Sequence, residues 1–274
     1  MEFFSSYTGA DFLAFYVVML ATCVAAGLWI PANLREPGRR GQVEDMEEVA
    51  VLSGGHERHT AAILADLFTR GALTEAGKGK LRVARTGLEA GEAERAVLNK
   101  VGDFKLSEAK SSLDTHAKRV EARLIRRGLM MDAGERRKLA LFSVLPYLAL
   151  FVIGLYRQQA GSAAGEPTGF LIALLVATAI FAAIRYSNTN PRTVAGNLLL
   201  REIEDQGSRM KRAPQQAEAG YAVAIFGTGV LVGTPWEPLH AMRQAGSGDG
   251  GSSGDSGDSD GGGGCGGGCG GCGG

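Results

Sequence analysis

Three cysteines stand near the C-terminus inside an almost unbroken run of glycine, GGGGCGGGCGGCGG, at Cys265, Cys269 and Cys272. Three soft thiolates on a chain with so little steric resistance can wrap copper(I), or zinc with a fourth ligand from elsewhere. Thiols of ordinary pKa, about 8.5, are mostly protonated at neutral pH, so a metal must displace protons and order the chain around it. The same tail threads easily into the active site of a cysteine-modifying enzyme that would make a stronger ligand or a crosslink. The spacing C-x3-C-x2-C also occurs in radical SAM iron–sulfur sites, but those sit beside a barrel strand, and only glycine surrounds these cysteines.

Other reactive residue types are sparse. His56-Glu57-Arg58-His59 places two imidazoles at i and i+3 on one helical face, a candidate metal pair without the spacing of the HExxH zinc motif. With no cysteine or third histidine nearby, the solvated start of a helix is the simpler reading, and His116 and His240 are isolated. Lys78, Lys80, Arg82 and Arg85 form a basic run that fits a phosphate track. The helix before it, HERHTAAILADLFT, offers few polar side chains to read base edges, so nucleic acid is disfavoured as a partner. No nucleophile with a base, acid pair or phosphate-binding loop appears, which argues against an enzyme.

These residues must be positioned by a chain whose charges balance, 29 Lys+Arg against 29 Asp+Glu, and whose apolar residues are gathered into long runs. Asp11 to Pro31 encloses FLAFYVVMLATCVAAGLWI, close to the ~20 residues that cross a hydrocarbon core. Only Glu2 and Asp11 precede it as charges, so it reads as a retained span rather than a cleaved signal, with Cys23 as a small membrane residue. Leu139 to Tyr156 and Gly169 to Ile184 form a helical hairpin, joined by a linker with Gly161, Gly165 and Pro167. Arg157, Arg185 and Tyr186 can snorkel or sit at the interface, and Pro146 is expected to kink the second span. Arg35, Arg39 and Arg40 after span one, and Arg136, Arg137 and Lys138 before span two, place the intervening loop in the cytoplasm. A multi-pass inner-membrane protein follows, N-terminus outside and C-terminus inside.

The expected organisation is mainly α: residues 1–34 carry the first span, 35–138 a small α+β cytoplasmic domain, 139–186 the hairpin of spans, 187–245 a cytoplasmic helical segment and 246–274 a disordered Gly/Ser/Asp/Cys tail. Helix 56–69 closes on Arg70-Gly71, and two strand-like runs flank Gly77-Lys78-Gly79, giving helix then β-hairpin, the grammar of a winged helix. A second amphipathic helix, Leu106 to Arg127, has Ser107 as its expected N-cap and again ends on Arg-Gly. Arg70-Gly71 with Ala76-Gly77 and Arg127-Gly128 with Ala133-Gly134 share the spacing RG-x4-AG, a short internal repeat. Beyond span three, 188–210 reads as an interfacial or docking helix, and Tyr221 to Gly233 is apolar yet too short to span. From Gly246 nothing can anchor a fold, and Asp249, Asp255, Asp258 and Asp260 keep the tail solvated.

Taken together, the single span, the helix-RGAL-hairpin pattern at Arg70-Gly71-Ala72-Leu73, the helical hairpin, the element Arg192-Thr193-x-Ala195-Gly196, the segment Ala222 to Gly227 and the Gly/Cys tail resemble a family of uncharacterised bacterial three-span membrane proteins. The resemblance covers essentially the whole chain and implies architecture, with no established activity. Its tails are similar to those of peptides matured by iron-dependent enzymes acting on cysteine. The expected function is a membrane-anchored binding or scaffold protein. Its partners would be the bilayer and a cysteine-modifying enzyme or cytoplasmic protein. The alternatives are a membrane-bound regulator whose winged-helix-like domain binds protein or DNA, and an oligomeric transporter component.

Overall fold

A computed structural model describes residues 9–77, 79–163 and 169–247, and most of them are helical. The three apolar runs become helices α1 (Gly9–Leu34), α5 (Ala133–Ala163) and α6 (Gly169–Ser187), each long and apolar enough to cross a membrane. A helix satisfies every peptide group of such a run internally, as a segment that crosses hydrocarbon must. The helix α5 extends the apolar run at its start, where Asp132 accepts from the Glu135 amide at 2.7 Å and Glu135 accepts from the Asp132 amide at 2.9 Å. It continues through Pro146.

The central helix of this bundle is α5, which packs on both α1 and α6. Phe12, Tyr16, Cys23, Tyr147, Leu150, Leu171 and Leu175 form its core. Glycine sets the separation, since a β-carbon on Gly154 would stand 2.8 Å from both Leu175 and Tyr16. Facing away are Leu141, Phe142, Leu145, Leu148 and Val152, an exposed apolar stripe suited to lipid.

The polar domain is built on α2 (Met46–Thr69), capped by Asp45, whose side chain accepts from the Glu48 amide at 2.8 Å. This helix breaks at Gly54 and Gly55, the latter at φ +66°, a conformation open to glycine. Strands β1 (Leu73–Glu75) and β2 (Lys80–Val83) form an antiparallel hairpin. After α3 (Glu92–Leu98), strand β3 (Asp103–Lys105) pairs antiparallel with β2, Leu81 opposite Phe104. Lys78 lies outside the described residues.

Helix α4 (Leu106–Arg126) follows β3 without a break, so its N-cap is Lys105 rather than the expected Ser107. The Glu108 carboxylate takes the Lys105 amide at 3.3 Å, a job that leaves Ser107 inside the first turn. Both Arg-Gly endings prove to be Schellman turns. Gly71 and Gly128 adopt φ +70° and +77°, and the next amide reaches back to Leu67 and Leu124 at 2.9 and 3.0 Å. The two copies then diverge, one into the hairpin and the other into a single bridge, Met130 to Arg192, before α5.

After α6 come α7 (Val194–Gln206), α8 (Ser208–Arg212), α9 (Ala219–Phe226) and α10 (Glu237–Ser247). The helix α9 is almost wholly buried and runs along α2. One core therefore joins Ile63, Leu64 and Leu67 of α2, Leu73, Leu81 and Phe104 of the sheet, Val97, Leu113, and Ala222, Val223, Leu231 and Leu239 from the last third of the chain. The residues on either side of the α5–α6 pair fold into a common unit.

Candidate functional site

The polar domain meets the three long helices at one junction, where the segments leaving α1, entering α5 and leaving α6 are tied by backbone hydrogen bonds. Val194 and Ala195 donate to the carbonyls of Glu36 and Pro37, both at 3.0 Å. Arg39 donates to Gly128 at 3.1 Å, Thr193 to Leu129 at 3.1 Å and Met131 to Pro191 at 2.8 Å. The Thr193 hydroxyl sits among the carbonyls of Gly128 and Leu129, 2.9 and 3.0 Å away, and accepts from the Gly196 amide at 3.1 Å as the cap of α7. Small residues make this approach possible, because a β-carbon on Gly38 or Gly196 would overlap the carbonyl of Gly128 or Leu129.

From the junction, Arg192 reaches into the domain. Its Nε donates to the Leu52 carbonyl at 2.6 Å and a terminal nitrogen to the Ser53 carbonyl, the last groups of the first limb of α2 before the glycine break. A cation at that helix end satisfies carbonyls that the break leaves without intrahelical donors and complements the helix dipole. Ser53 Oγ in turn donates to Ala224, and Arg58 to Ile225 at 2.9 Å, so the end of α9 is held by residues flanking the same break. On the other side, Arg127 bridges the fully buried Glu48 at 3.0 Å and Glu44 at 3.1 Å.

The histidine pair is divided between different carboxylates. His56 lies 3.3 Å from Asp114 and 2.9 Å from Glu121 on α4, and the buried His59 lies 2.9 Å from Glu47. The hydrogen bond from His59 holds the Glu47 carboxyl below its usual range against the opposing effect of burial, and the charges of Arg123 and His116 add to it. No group of three His, Cys, Asp or Glu among the described residues is arranged to hold a metal. Of the basic hairpin residues, Arg82 is taken by Asp103 at 2.5 Å, while Lys80 and Arg85 remain on the hairpin surface. Cys23 is buried among α1 and α5, its thiol directed at the Pro146 carbonyl at 3.4 Å. Cys265, Cys269 and Cys272, with Gly165, Pro167 and the aspartates of the tail, lie outside the described residues.

A groove of about 540 Å³ opens beside the junction, lined by Arg40, Gly41 and Gln42, by Glu202 and Gln206 of α7, and by Tyr221 of α9. Burial pushes the Tyr221 hydroxyl pKa up. What the arrangement offers is a fixed mechanical and electrostatic link between long apolar helices and a folded polar domain. Sequence reasoning passed over Gly38 and met Arg192, Thr193 and Gly196 only as an element of the resemblance, although Thr193 three residues before Gly196 carries a capping signal. No protein-family model, curated protein or solved structure matches the chain.

Proposed function

We propose that the protein is a membrane-anchored binding or scaffold protein of the inner membrane. Its polar domain sits on the cytoplasmic face, its N-terminus is outside, and its tail cysteines Cys265, Cys269 and Cys272 serve as a soft-metal or modification site. The observation that carries this reading is the junction, where the segments flanking all three long helices are hydrogen-bonded to one another and Arg192 extends the tie into the polar domain. A domain so tied cannot leave the membrane surface, and the tail that follows α10 is thereby kept within reach of that surface. Orientation is supported by Arg35, Arg39, Arg40, Arg136, Arg137 and Lys138, which cluster on the domain side. The order of α2, the β1–β2 hairpin and the third strand supports a winged-helix-like binding module. The pairing of Arg82 with Asp103 favours a protein partner over a nucleic acid.

The test is the intact mass and metal content of the tryptic fragment Gln244 to Gly274 from protein made in its own host, thiols left unalkylated. A mass different from the plain sequence, or copper or zinc lost on Cys→Ser substitution, supports the tail as the working site. A plain mass with three thiols and no metal removes the tail from the account and leaves the domain as the binding element.

A further inference from the structure

The helix α6 stops well before its neighbours. Tyr16 of α1 and Thr178 of α6 share a buried hydrogen bond at 3.1 Å, which sets them at one level. Beyond them α1 continues to Leu34 but α6 only to Ser187, nine residues fewer, so at about 1.5 Å per residue α6 ends ~13 Å earlier. The contact between Gly154 and Leu175 gives the same offset against the start of α5 at Ala133. The missing length is covered by the polar, non-helical stretch Asn188-Thr189-Asn190-Pro191, which runs down to Met131. Across from it, α5 still displays exposed Leu141, Phe142 and Leu145.

Arg185 stands on the last turn of α6 at the top of this gap. It is half-buried and within electrostatic reach of the Tyr147 hydroxyl, which lies over Gly27 of α1. Its Nε is buried without a hydrogen-bond partner, and no carboxylate among the described residues pairs with it. None is at hand, since no Asp or Glu occurs between Asp11 and Glu36, between Glu135 and Glu166, or between Glu166 and Glu202. A guanidinium held at the depth of the bilayer is costly without an anion, and the anion native to that depth is a lipid phosphate.

We propose that Arg185, beside the gap left by the early end of α6, binds the phosphate of an anionic phospholipid headgroup from the inner leaflet. Arg185 supplies charge-assisted hydrogen bonds to the phosphate oxygens through its terminal nitrogens. The site rests on the reading that the three helices cross a membrane, and it gives the bilayer a specific place on the protein.

The experiment uses the full chain purified in detergent and offered phosphatidylglycerol or phosphatidylcholine, with bound lipid counted by native mass spectrometry. Wild type is expected to retain phosphatidylglycerol in preference to phosphatidylcholine. Arg185→Gln is expected to lose about tenfold in retention, the loss of one charge-assisted contact. Arg185→Lys retains part of it, and Arg136→Gln, on an exposed cation elsewhere, leaves it unchanged. Equal retention by wild type and Arg185→Gln would overturn the site, as would displacement of the lipid by millimolar inorganic phosphate. Alkaline carbonate extraction of membranes separates the two levels of the argument. All variants pelleting with the membrane uphold the spans whatever the lipid result, and wild type in the supernatant overturns both.

Discussion

A β-carbon on Gly196 would overlap the carbonyl oxygen of Leu129, so α7 leaves the junction along a path that only glycine permits. That carbonyl already accepts from the Thr193 amide and hydroxyl, and it has no freedom to withdraw. Gly196→Ala is therefore expected to destabilise the protein by about 3 kcal/mol, the upper end for an overpacked site. Gly38→Ala should cost at least as much, since its φ of +70° adds roughly 1–2 kcal/mol of backbone strain for any L side chain. Gly229→Ala, with nothing within 4 Å of the added carbon, is expected to stay within about 0.5 kcal/mol of wild type. Thermal unfolding in detergent solution measures all three.

The guanidinium of Arg192 is planar and forked, and it serves two adjacent carbonyls at once. Arg192→Gln should lower stability by about 2 kcal/mol, the value of a charged hydrogen bond, and Arg192→Lys should recover only part because a point charge cannot reproduce the fork. Limited proteolysis offers an independent reading, with cleavage at Gly54-Gly55 expected to speed up in both variants. Unchanged cleavage would mean that the break is held by its other partners, Ser53 and Arg58.

Glu47 gives the protein a defined dependence on acid. A carboxyl whose folded pKa is depressed contributes stability that is complete above the ordinary value of about 4.3, and this is lost as pH falls through the folded value. Glu47→Gln should be less stable than wild type at neutral pH, and the two unfolding curves should converge at the acid end. Parallel curves from pH 7 to pH 3 would remove the His59 contact from the account.

Metal binding divides cleanly between the candidate ligands. Copper(I) or zinc titrated into the full chain should bind through Cys265, Cys269 and Cys272, and binding should vanish in the triple Cys→Ser variant. The double variant His56→Ala, His59→Ala should bind as wild type does, because each imidazole is already committed to carboxylates of α4 or α2. Loss of binding in the histidine variant would overturn this division.

The long helices were legible because hydrocarbon imposes a length and a composition that no other constraint mimics, and Arg70-Gly71 and Arg127-Gly128 were legible as stops because a left-handed residue is needed there. The strand Asp103–Lys105 was not, since three residues with one apolar side chain, Phe104, carry no periodicity. The first limb of α2 was hidden by Gly54-Gly55, whose non-helical backbone interrupts the helix between two packed limbs. The cap at Lys105 was missed because a lysine side chain offers no acceptor, and the turn is closed instead by Glu108, which accepts the Lys105 amide. The junction draws on residues 36–39, 128–131 and 190–196, and no local pattern links segments so far apart. Arg185 was expected to snorkel or sit at the interface, and its electrostatic neighbour, Tyr147, lies too far away in sequence for any local pattern to reveal.

The most direct test of the membrane-anchored scaffold is thiol labelling with a membrane-impermeant maleimide, applied to intact spheroplasts and to inverted inner-membrane vesicles after reduction and chelation. Cys23 is buried between α1 and α5, so the reagent reports on the tail. Labelling in inverted vesicles and none in spheroplasts is the expected result, placing Cys265, Cys269 and Cys272 on the cytoplasmic face with the polar domain. Labelling in intact spheroplasts would contradict the orientation and, with it, the proposal that the junction holds a binding domain and its cysteine tail at the inner surface.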